Sequence, residues 1–498
     1  MNSEILDFVF PKLDNPTLKT ARLVCSQWGN IGAVHLATRT YFNTSHMLPF
    51  DRSGTLPPFN KNLVKRVQVS FCSCKIPENN LLMKMQHDIM TKNFVSFCTQ
   101  INKITEVLSV CINANFSMVP LMRSLCILDF PNMTELTLSE PEIPEEAILP
   151  NKFCTFPSRP NLMKLNVNLA RENSPFGQVL QKLVDSAPNL LVLIISGNQT
   201  PSLAECKMLQ VLKFRGTYKP EGEIMFSMNK LNGMLVAVKD TLVELVLQMD
   251  GVGGNFITGG QSYGADDKFS LPKMPLLTIL TVIEVGVFTI ENEWSSETVP
   301  MLKDLCLRSK RRFGVISCLS SLQSPHDCVE SLDILGAETP DAIKYIKLTF
   351  PNMNKLEVGI VCPDFTDVNK CKNFKRRIEA FDKLERLELL KITISGINRF
   401  LYSLILLECI SKINATILLR LQFTQSAYVD TFTQPAFETI LELCKAMNKV
   451  TIEGLGLIPP IAKEVNNSIK SNNIPVNIIP KKIYGNIKIF HNGEFYDI

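Results

Sequence analysis

No stretch of this sequence is long and apolar enough to span a bilayer. The nearest, Phe400 to Leu421, is interrupted by Glu408, Lys412 and Arg420, whereas a spanning helix needs about 18 or more apolar residues. It reads as a buried helix followed by a strand. A strong charge is missing too. The net charge of +4 over 498 residues, with a pI near 8.3, is a weak footprint for a polyanion binder. The short basic runs Lys310-Arg311-Arg312 and Lys375-Arg376-Arg377 read as solvated surface. Neither nucleic acid nor membrane is an expected partner. The start, "MNSEILDFVF", carries acidic residues where a secretory leader needs positive ones. Without export, the 15 cysteines, odd in number and irregular in spacing, read as reduced and mostly buried thiols. The expected location is cytoplasmic and/or nuclear, and the Asn-x-Ser/Thr triplets at Asn132 and Asn198 are chance matches.

Catalytic and metal-binding patterns are also missing. His35, His46, His87, His326 and His491 show no metal spacing, and Cys72-Ser73-Cys74 is not a Cys-x-x-Cys pair. No Gly-x-Ser-x-Gly elbow occurs. The glycine-rich stretch from Gly251 to Gly264 lacks a phosphate-loop ending and the dinucleotide spacing. It reads as a flexible loop inserted after a strand at Leu242 to Leu247, with partner binding as the alternative. The expectation is a protein without enzyme activity, resident metal or cofactor. A triad of residues distant in sequence, and a small molecule in the concavity of the array, stay open.

Apolar material is ample: 45% hydrophobic against 20% charged residues is a globular composition. It is organised as a repeat. The pattern apolar-x-x-apolar-x-apolar recurs as "PNMTELTL" (from Pro131), "PNLMKLNV" (Pro160) and "PNLLVLII" (Pro188). It continues from Leu209, Leu242, Leu277, Leu302 and Val329, then in "PNMNKLEV" (Pro351), and from Leu384, Leu418 and Met447. Met133 to Leu162 is 29 residues and Leu162 to Leu190 is 28. A short strand with two inward apolar residues, returned by a helix, explains this period. "SPFGQVLQKLVDSAP" fits such a helix, with Ser174 as cap, Pro175 first, and Val179, Leu180, Leu183 and Val184 on one face. Thr339-Pro340 repeats that entry, and a third helix starts near Thr433. The chain thus resembles a helix-backed leucine-rich repeat array, degenerate because the Asn or Cys that follows the strand and ties adjacent turns is mostly absent; Asn198 is the best exception. Alternating apolar residues around Asn492-Gly493 predict a terminal hairpin that closes the sheet edge.

Period 2 also names the residues that point away from the core. They include Lys164 and Asn166, then Asp304, Arg308, Asp333, Lys355, Glu357, Arg386, Glu388, Arg420 and Gln422, and Lys449 with Glu453. From Asp304 to Arg420 this concave face is charged and mixed in sign, which suits a polar protein epitope; a merely solvated face is the alternative. Val192, Ile194 and Ser196 are apolar for such a position, so that patch either binds something or is covered.

The first 42 residues differ. Ile5, Leu6, Val9, Phe10 and Leu13 mark one helix; Leu18, Ala21, Val24, Cys25 and Trp28 mark a second, with Asn15 as its cap and Pro16 first. "EILDFVFPKLDNPTLKTARLVCSQWGNIG" (Glu4 to Gly32) resembles an F-box: Glu4-Ile5-Leu6, Phe10, Leu13, Leu18, Ala21-Arg22, Val24-Cys25 and Trp28 match in order and spacing. The usual Leu-Pro before the first helix is absent; Asn2-Ser3 stands there. The match covers about 40 residues, and the rest is similar, more loosely, to the repeat domain of F-box/leucine-rich-repeat proteins. This resemblance implies an α/β chain divided into an F-box helical hairpin at 1–45, degenerate first repeats and linker at 46–130, an irregular horseshoe solenoid at 131–475 with repeats of about 28 residues, and a C-terminal strand or hairpin cap at 476–498. It implies the substrate-recognition subunit of an SCF-type cullin–RING ubiquitin ligase. Ile5, Leu6, Phe10, Leu13, Leu18, Arg22, Val24, Cys25 and Trp28 would contact the small adaptor subunit or support the surface that does. Cullin and RING subunits would follow through the adaptor, and a protein substrate would sit on the array. The alternatives are a repeat scaffold or inhibitor whose hairpin is only a cap, and an F-box protein that works with the adaptor alone.

Overall fold

The computed structural model of the chain describes residues 3–44, 58–70, 81–111, 124–125, 127–140, 156–169, 176–217, 226–250, 269–283, 288, 295–308, 319, 325–335, 340–361, 368–397, 402–413, 415–429, 434–457, 459–479, 488–491 and 494–497. The glycine-rich loop at 251–264, the basic run at 310–312, Cys72, Cys74, His46 and the caps expected at Ser174 and Thr339 lie outside them. Two compact units follow one another, Met1–Lys268 and Phe269–Ile498.

Unit 1 opens with three helices rather than two: α1 (Ser3–Val9), α2 (Asn15–Ala21) and α3 (Ser26–Arg39), with a 3-10 turn at Phe10–Lys12. Asp14, not Asn15, is the cap of α2. Its Oδ1 accepts the Thr17 N–H at 2.9 Å, and the Thr17 side chain first, then this backbone bond, hold the Asp14 carboxyl below its usual pKa. The helix expected to continue to Trp28 stops at Ala21. There Leu23 and Val24 donate to the carbonyls of Thr20 and Ala21, and extended Cys25 starts α3. Leu6, Phe10, Leu18 and Leu36 form a closed core with Leu13, Trp28 and Ile31 against it. The Phe10 ring meets Trp28 edge-on at 5.5 Å. Arg39 donates to the carbonyls of Phe10, Pro11 and Leu13, and so ties α3 to the 3-10 turn.

The remainder of unit 1 is a parallel ladder in chain order: β1 (Phe42–Asn43), β2 (Arg66–Ser70), β3 (Val107–Cys111), β4 (Glu135–Glu140), β5 (Lys164–Leu169), β6 (Val192–Ser196), β7 (Val211–Thr217) and β8 (Glu244–Asp250). The two inward residues of each expected strand, such as Leu136 and Leu138 or Leu165 and Val167, are fully buried. Helices α4 (Leu81–Ile101), α5 (Phe176–Asp185) and α6 (Met228–Val238) supply return segments. Residues 197–210, between β6 and β7, cross without one.

Unit 2 repeats the scheme with β9 (Ile279–Ile283), β10 (Asp304–Arg308), β11 (Ser331–Leu335), β12 (Lys355–Val361), β13 (Leu389–Ile397), β14 (Thr416–Val429), β15 (Lys449–Leu457) and β16 (Val476–Ile479), again all parallel. Helices α7 (Pro340–Thr349), α8 (Val368–Ala380), α9 (Tyr402–Ile410), α10 (Gln434–Cys444) and α11 (Pro459–Ser471) lie between strands from β11 onward. Both units are solenoid-like repeats in this sense: each strand buries its apolar pair only because the next repeat stacks beside it. The terminal hairpin, β17 (Lys488–His491) with β18 (Glu494–Asp497), forms a separate two-stranded sheet. It does not extend the ladder, whose last strand is β16.

One frame recurs. In most repeats the first apolar residue donates its N–H three residues back, as Met133 does to Phe130, Leu162 to Arg159, Leu302 to Val299 and Met353 to Phe350; Leu242 reaches four back, to Val238. The Asn of the Pro-Asn turns does the tying that was expected after the strand. Asn161 Nδ2 donates to the Pro131 carbonyl at 2.7 Å, Asn189 to Pro160 at 2.9 Å and Asn352 to Asp327 at 2.8 Å, each reaching into the preceding repeat. Asn198 also ties neighbours, accepting from Thr217 N–H at 2.9 Å and donating to Thr217 Oγ1 at 2.8 Å.

Candidate functional site

Two surfaces are candidates. The first is on the N-terminal helices. Of the residues assigned to the adaptor, Leu6, Phe10 and Leu18 lie inside the helices' own core, and Leu13, Arg22 and Trp28 are half-buried around it. These six can support a contact surface; the buried three cannot form it. Ile5, Val24 and Cys25 face outward. They are joined by two residues the pattern did not single out, Phe8 at 67% and Leu23 at 85% exposed, and by Val9, which the pattern placed on the apolar side of the first helix. Ile5, Phe8 and Val9 share one side of α1 by their spacing. Leu23 and Val24 sit where the helix breaks, a break that places both in a turn instead of on a helix face. The signal for Phe8 was present, since it stands one turn after Ile5. Leu23 looked like the polar side of a continuous helix.

The second surface is the outer face of the ladders. In unit 2 the opposite charges on neighbouring strands pair with each other. Arg308 meets Asp333 at 2.5 Å, Lys391 meets Glu357 at 3.4 Å, and Arg420 meets Glu453 at 2.7 Å. Gln422 Nε2 also donates to Glu453 at 3.0 Å. Arg420 and Gln422 together hold the Glu453 carboxyl below its usual pKa, and Asp333 raises that of Arg308. Cys306 lies beside Asp333 at 3.4 Å; burial first, then that carboxylate, pushes its thiol up to about 12, so it is no nucleophile. Asp304, Lys355 and Glu357 sit on the strands as expected. Arg386 and Glu388 do not: they precede β13, and Lys391 takes the outer position beside Glu357. Arg386 donates instead to Asn352 Oδ1.

In unit 1 three rows cross the strands in register. The first, Glu135, Lys164, Val192, Val211 and Glu244, is closed by ion pairs: Lys164 to Glu135 at 2.8 Å, and Lys213 of the next row to Glu244 at 2.7 Å. The second row holds Asn166, Ile194, Lys213 and Val246. The third holds Ser139, Asn168, Ser196, Arg215 and Gln248. These last two rows line a hollow of about 290 Å³. Arg215 donates to Gln248 Oε1 at 3.3 Å across its edge. The sequence flagged Val192, Ile194 and Ser196 here as oddly apolar. It also named Asn166 as outward and missed the rest, although the alternate positions of "LKFRGT" and "LVLQMD" name Lys213, Arg215, Val246 and Gln248.

Among the described residues no group of three or more His, Cys, Asp or Glu could hold a metal, and no helix is long and apolar enough to cross a membrane. Described cysteines are free thiols; Cys98, Cys206, Cys409 and Cys444 are buried, whereas Cys25, Cys111 and Cys328 are exposed.

No family model matches the chain, and no curated protein matches it. Among solved structures it is similar to one described as the crystal structure of Rad7 and Elc1 complex in yeast, at 12% identity, with a TM-score of 0.34, covering 96% of this chain and 93% of that chain. At that score and identity the likeness supports nothing beyond itself.

Proposed function

We propose that this chain is the substrate-recognition subunit of an SCF-type cullin–RING ubiquitin ligase, working in the cytoplasm or nucleus. Its N-terminal helices dock on the small adaptor subunit, which brings the cullin and RING subunits, and its ladder holds a protein substrate. The observation that carries this is the apolar surface left on the F-box-like segment. The core around Phe10 closes without Ile5, Phe8, Val9, Leu23 or Val24, and these five stay exposed. A helical segment this small that completes its core and still shows large apolar side chains has them for a partner. The chain then does no bond chemistry. It raises the effective concentration of a bound protein's lysines near a ubiquitin-loaded enzyme carried elsewhere in the complex.

The test is capture of the adaptor and cullin by the full chain and by Leu23→Asp/Val24→Asp. Both positions are exposed, so the variant keeps its fold by circular dichroism. Loss of one hot-spot anchor costs about 2 kcal/mol or more, so capture should fall at least about thirtyfold. A folded wild type that captures neither subunit refutes the reading. Leu18→Ala is not a useful probe, because it empties the core.

A second reading has its own support. Leu63, in the 3-10 turn Lys61–Leu63 ahead of β2, packs against the core of the N-terminal helices. The helices could therefore serve as a cap on the ladder of a scaffold or inhibitor. Deleting residues 1–45 would then unfold unit 1 instead of only uncoupling it from the adaptor.

A further inference from the structure

We infer that the solvent side of α7 and α8 is a docking surface for an acidic segment of a partner protein, with carboxylates seated at Lys344, Lys372 and Arg376. This goes beyond the proposed function and does not rest on it. The charge of α8 motivates it. That helix holds five cations, Lys370, Lys372, Lys375, Arg376 and Arg377, against the one carboxylate Glu379. Its net charge of +4 equals the formal net charge of all 498 residues. The weak basic balance of the chain is thus concentrated on one helix about 20 Å long. The run Lys375-Arg376-Arg377 is solvated only in part, since Arg377 is half-buried with its guanidinium 5.9 Å from the centre of the Phe374 ring.

The inward side of α8 decides which cations stay outside. Phe374 and Ile378 are buried. At about 100° per residue, Lys372 and Arg376 fall on the opposite side, one turn apart, and both are exposed. Lys344 joins them from α7, which packs beside α8. Its neighbour on that helix, Lys347, reaches Glu385, which follows α8, at 2.7 Å, so this face of α7 is turned towards α8. Among the described residues Lys344, Lys372 and Arg376 form no ion pair, whereas Lys347, Lys391 and Arg420 of the same unit do. Lys375 is left out of the surface because it faces α9. There burial pushes the Cys409 thiol up, Lys375 opposes this, and Glu379 and Glu408 offset Lys375.

Complementary charge calls for an anion, and the surroundings select its class. Leu348 stands one turn after Lys344 and is 59% exposed, an apolar contact beside the cations. A protein segment can use both, with carboxylates on the cations and an aliphatic side chain on Leu348. A nucleic acid strand needs rings on which its bases can stack, and the rings of these helices, Tyr345 and Phe374, are half-buried and buried. A helix that lies in a bilayer surface buries its apolar side there, but that of α8 is already buried within unit 2.

The test pans the immobilised full chain against a displayed library of random dodecapeptides, beside Lys372→Glu/Arg376→Glu and a control of equal charge, Lys463→Glu/Lys470→Glu. The four positions are exposed on α8 and α11, so each variant keeps its fold by circular dichroism. Lys344→Glu is a second probe, on the neighbouring helix. Peptides rich in Asp or Glu should be enriched on wild type and on the α11 control, and not on the α8 variant. A synthetic peptide of the selected sequence should lose about tenfold in affinity with the α8 variant, mainly through slower association, and less than about twofold with the control. Lys344→Glu should cost it about threefold. Three results overturn the inference: selection without acidic enrichment, enrichment that the α8 variant does not change, or an equal loss in the control, which would show only the net charge of the chain at work. It is also overturned if an oligothymidylate, or vesicles of phosphatidylserine and phosphatidylcholine, bind more tightly than the peptide and with the same dependence on Lys372 and Arg376.

Discussion

The outer strand faces of the two units carry similar residues and use them differently. In unit 2 a cation on one strand meets a carboxylate on its neighbour in the middle of the face, as Arg308 does with Asp333 and Arg420 with Glu453. In unit 1 the ion pairs among the described residues reach the carboxylates of the entry row, Lys164 to Glu135 and Lys213 of the next row to Glu244, and further along Arg215 donates to Gln248. The inward residues obey one rule in both units, since each must be apolar to close the ladder. The outward ones are not under that rule. A carboxylate beside a cation gives the surface its own partner. The difference therefore lies in where along the strands opposite charges are matched, at the entry in unit 1 and in the middle in unit 2.

Strand glycines make the largest expected contrast. A Cβ on Gly216 in β7 would lie 2.5 Å from Phe226 Cε1 and 2.9 Å from Met249 Sδ, and both neighbours are buried. Phe226 also packs edge-on against Phe214 at 4.9 Å and cannot swing away freely. Gly216→Ala should cost about 1 to 3 kcal/mol by overpacking. Gly359 in β12 would run into Leu335 Cδ1, the end of a flexible side chain that is 39% exposed. Gly359→Ala should cost less than about 1 kcal/mol, since Leu335 can turn and the unfolded chain loses freedom. Calorimetric midpoints for the two variants would decide it; equal shifts would mean that the strands of the two units are packed alike.

A smaller contrast depends on pH. Arg159 and His326 occupy equivalent places. Each is buried, and each donates its backbone N–H to a carbonyl that ends the next helix, Ser186 at 2.6 Å and Thr349 at 2.7 Å. Burial lowers the His326 pKa, and the Val299 carbonyl and the Asp327 charge offset this only in part. The unfolded chain takes up a proton near pH 6.5 and the folded one only at lower pH. Stability is complete above about pH 6.5 and is lost as the pH falls below it. His326→Leu should flatten the fall in melting temperature between about pH 7.5 and about pH 5.5. An unchanged slope would place the acid sensitivity elsewhere.

The ladder was legible because burial enforces it. The repeats from Met133, Leu162, Leu190, Leu209, Leu242, Leu277, Leu302, Val329, Met353 and Met447 stand in the frame read from the sequence, with their apolar residues buried. Two do not, for local reasons. Leu384, Leu387 and Leu390 are spaced three apart, so two frames fit. The turn bond from Leu387 N–H to the Leu384 carbonyl selects the later one, with Leu390 and Ile392 inward. Before β14 one residue is added: Ile413 closes the turn, and Ile417 follows four residues later where Leu165 follows Leu162 by three. Leu418 therefore points outward. The hollow was harder to see because its members are ordinary polar residues, and only register across five strands brings Ser139 and Gln248 into one row. Exposure on the N-terminal helices was hidden by the break after Ala21, where no proline or glycine marks the end of α2.

The smallest effect bears most directly on the two faces. Arg420 and Glu453 are 2.7 Å apart, but the Arg420 side chain is half exposed, so water screens the pair. A double-mutant cycle with Arg420→Gln and Glu453→Gln should give a coupling below about 1 kcal/mol. The sign with pH follows from the lowered Glu453 pKa, caused first by Arg420 and then by Gln422. The coupling is present above about pH 4.5 and is lost as the pH falls through the folded value. Arg215→Gln removes an exposed guanidinium that donates to Gln248 at 3.3 Å, so its effect on stability should stay within about 0.5 kcal/mol. If Arg215→Gln instead destabilised the chain as much as Arg420→Gln and with the same acid dependence, charge would be matched in the middle of both faces, and the distinction between them would disappear.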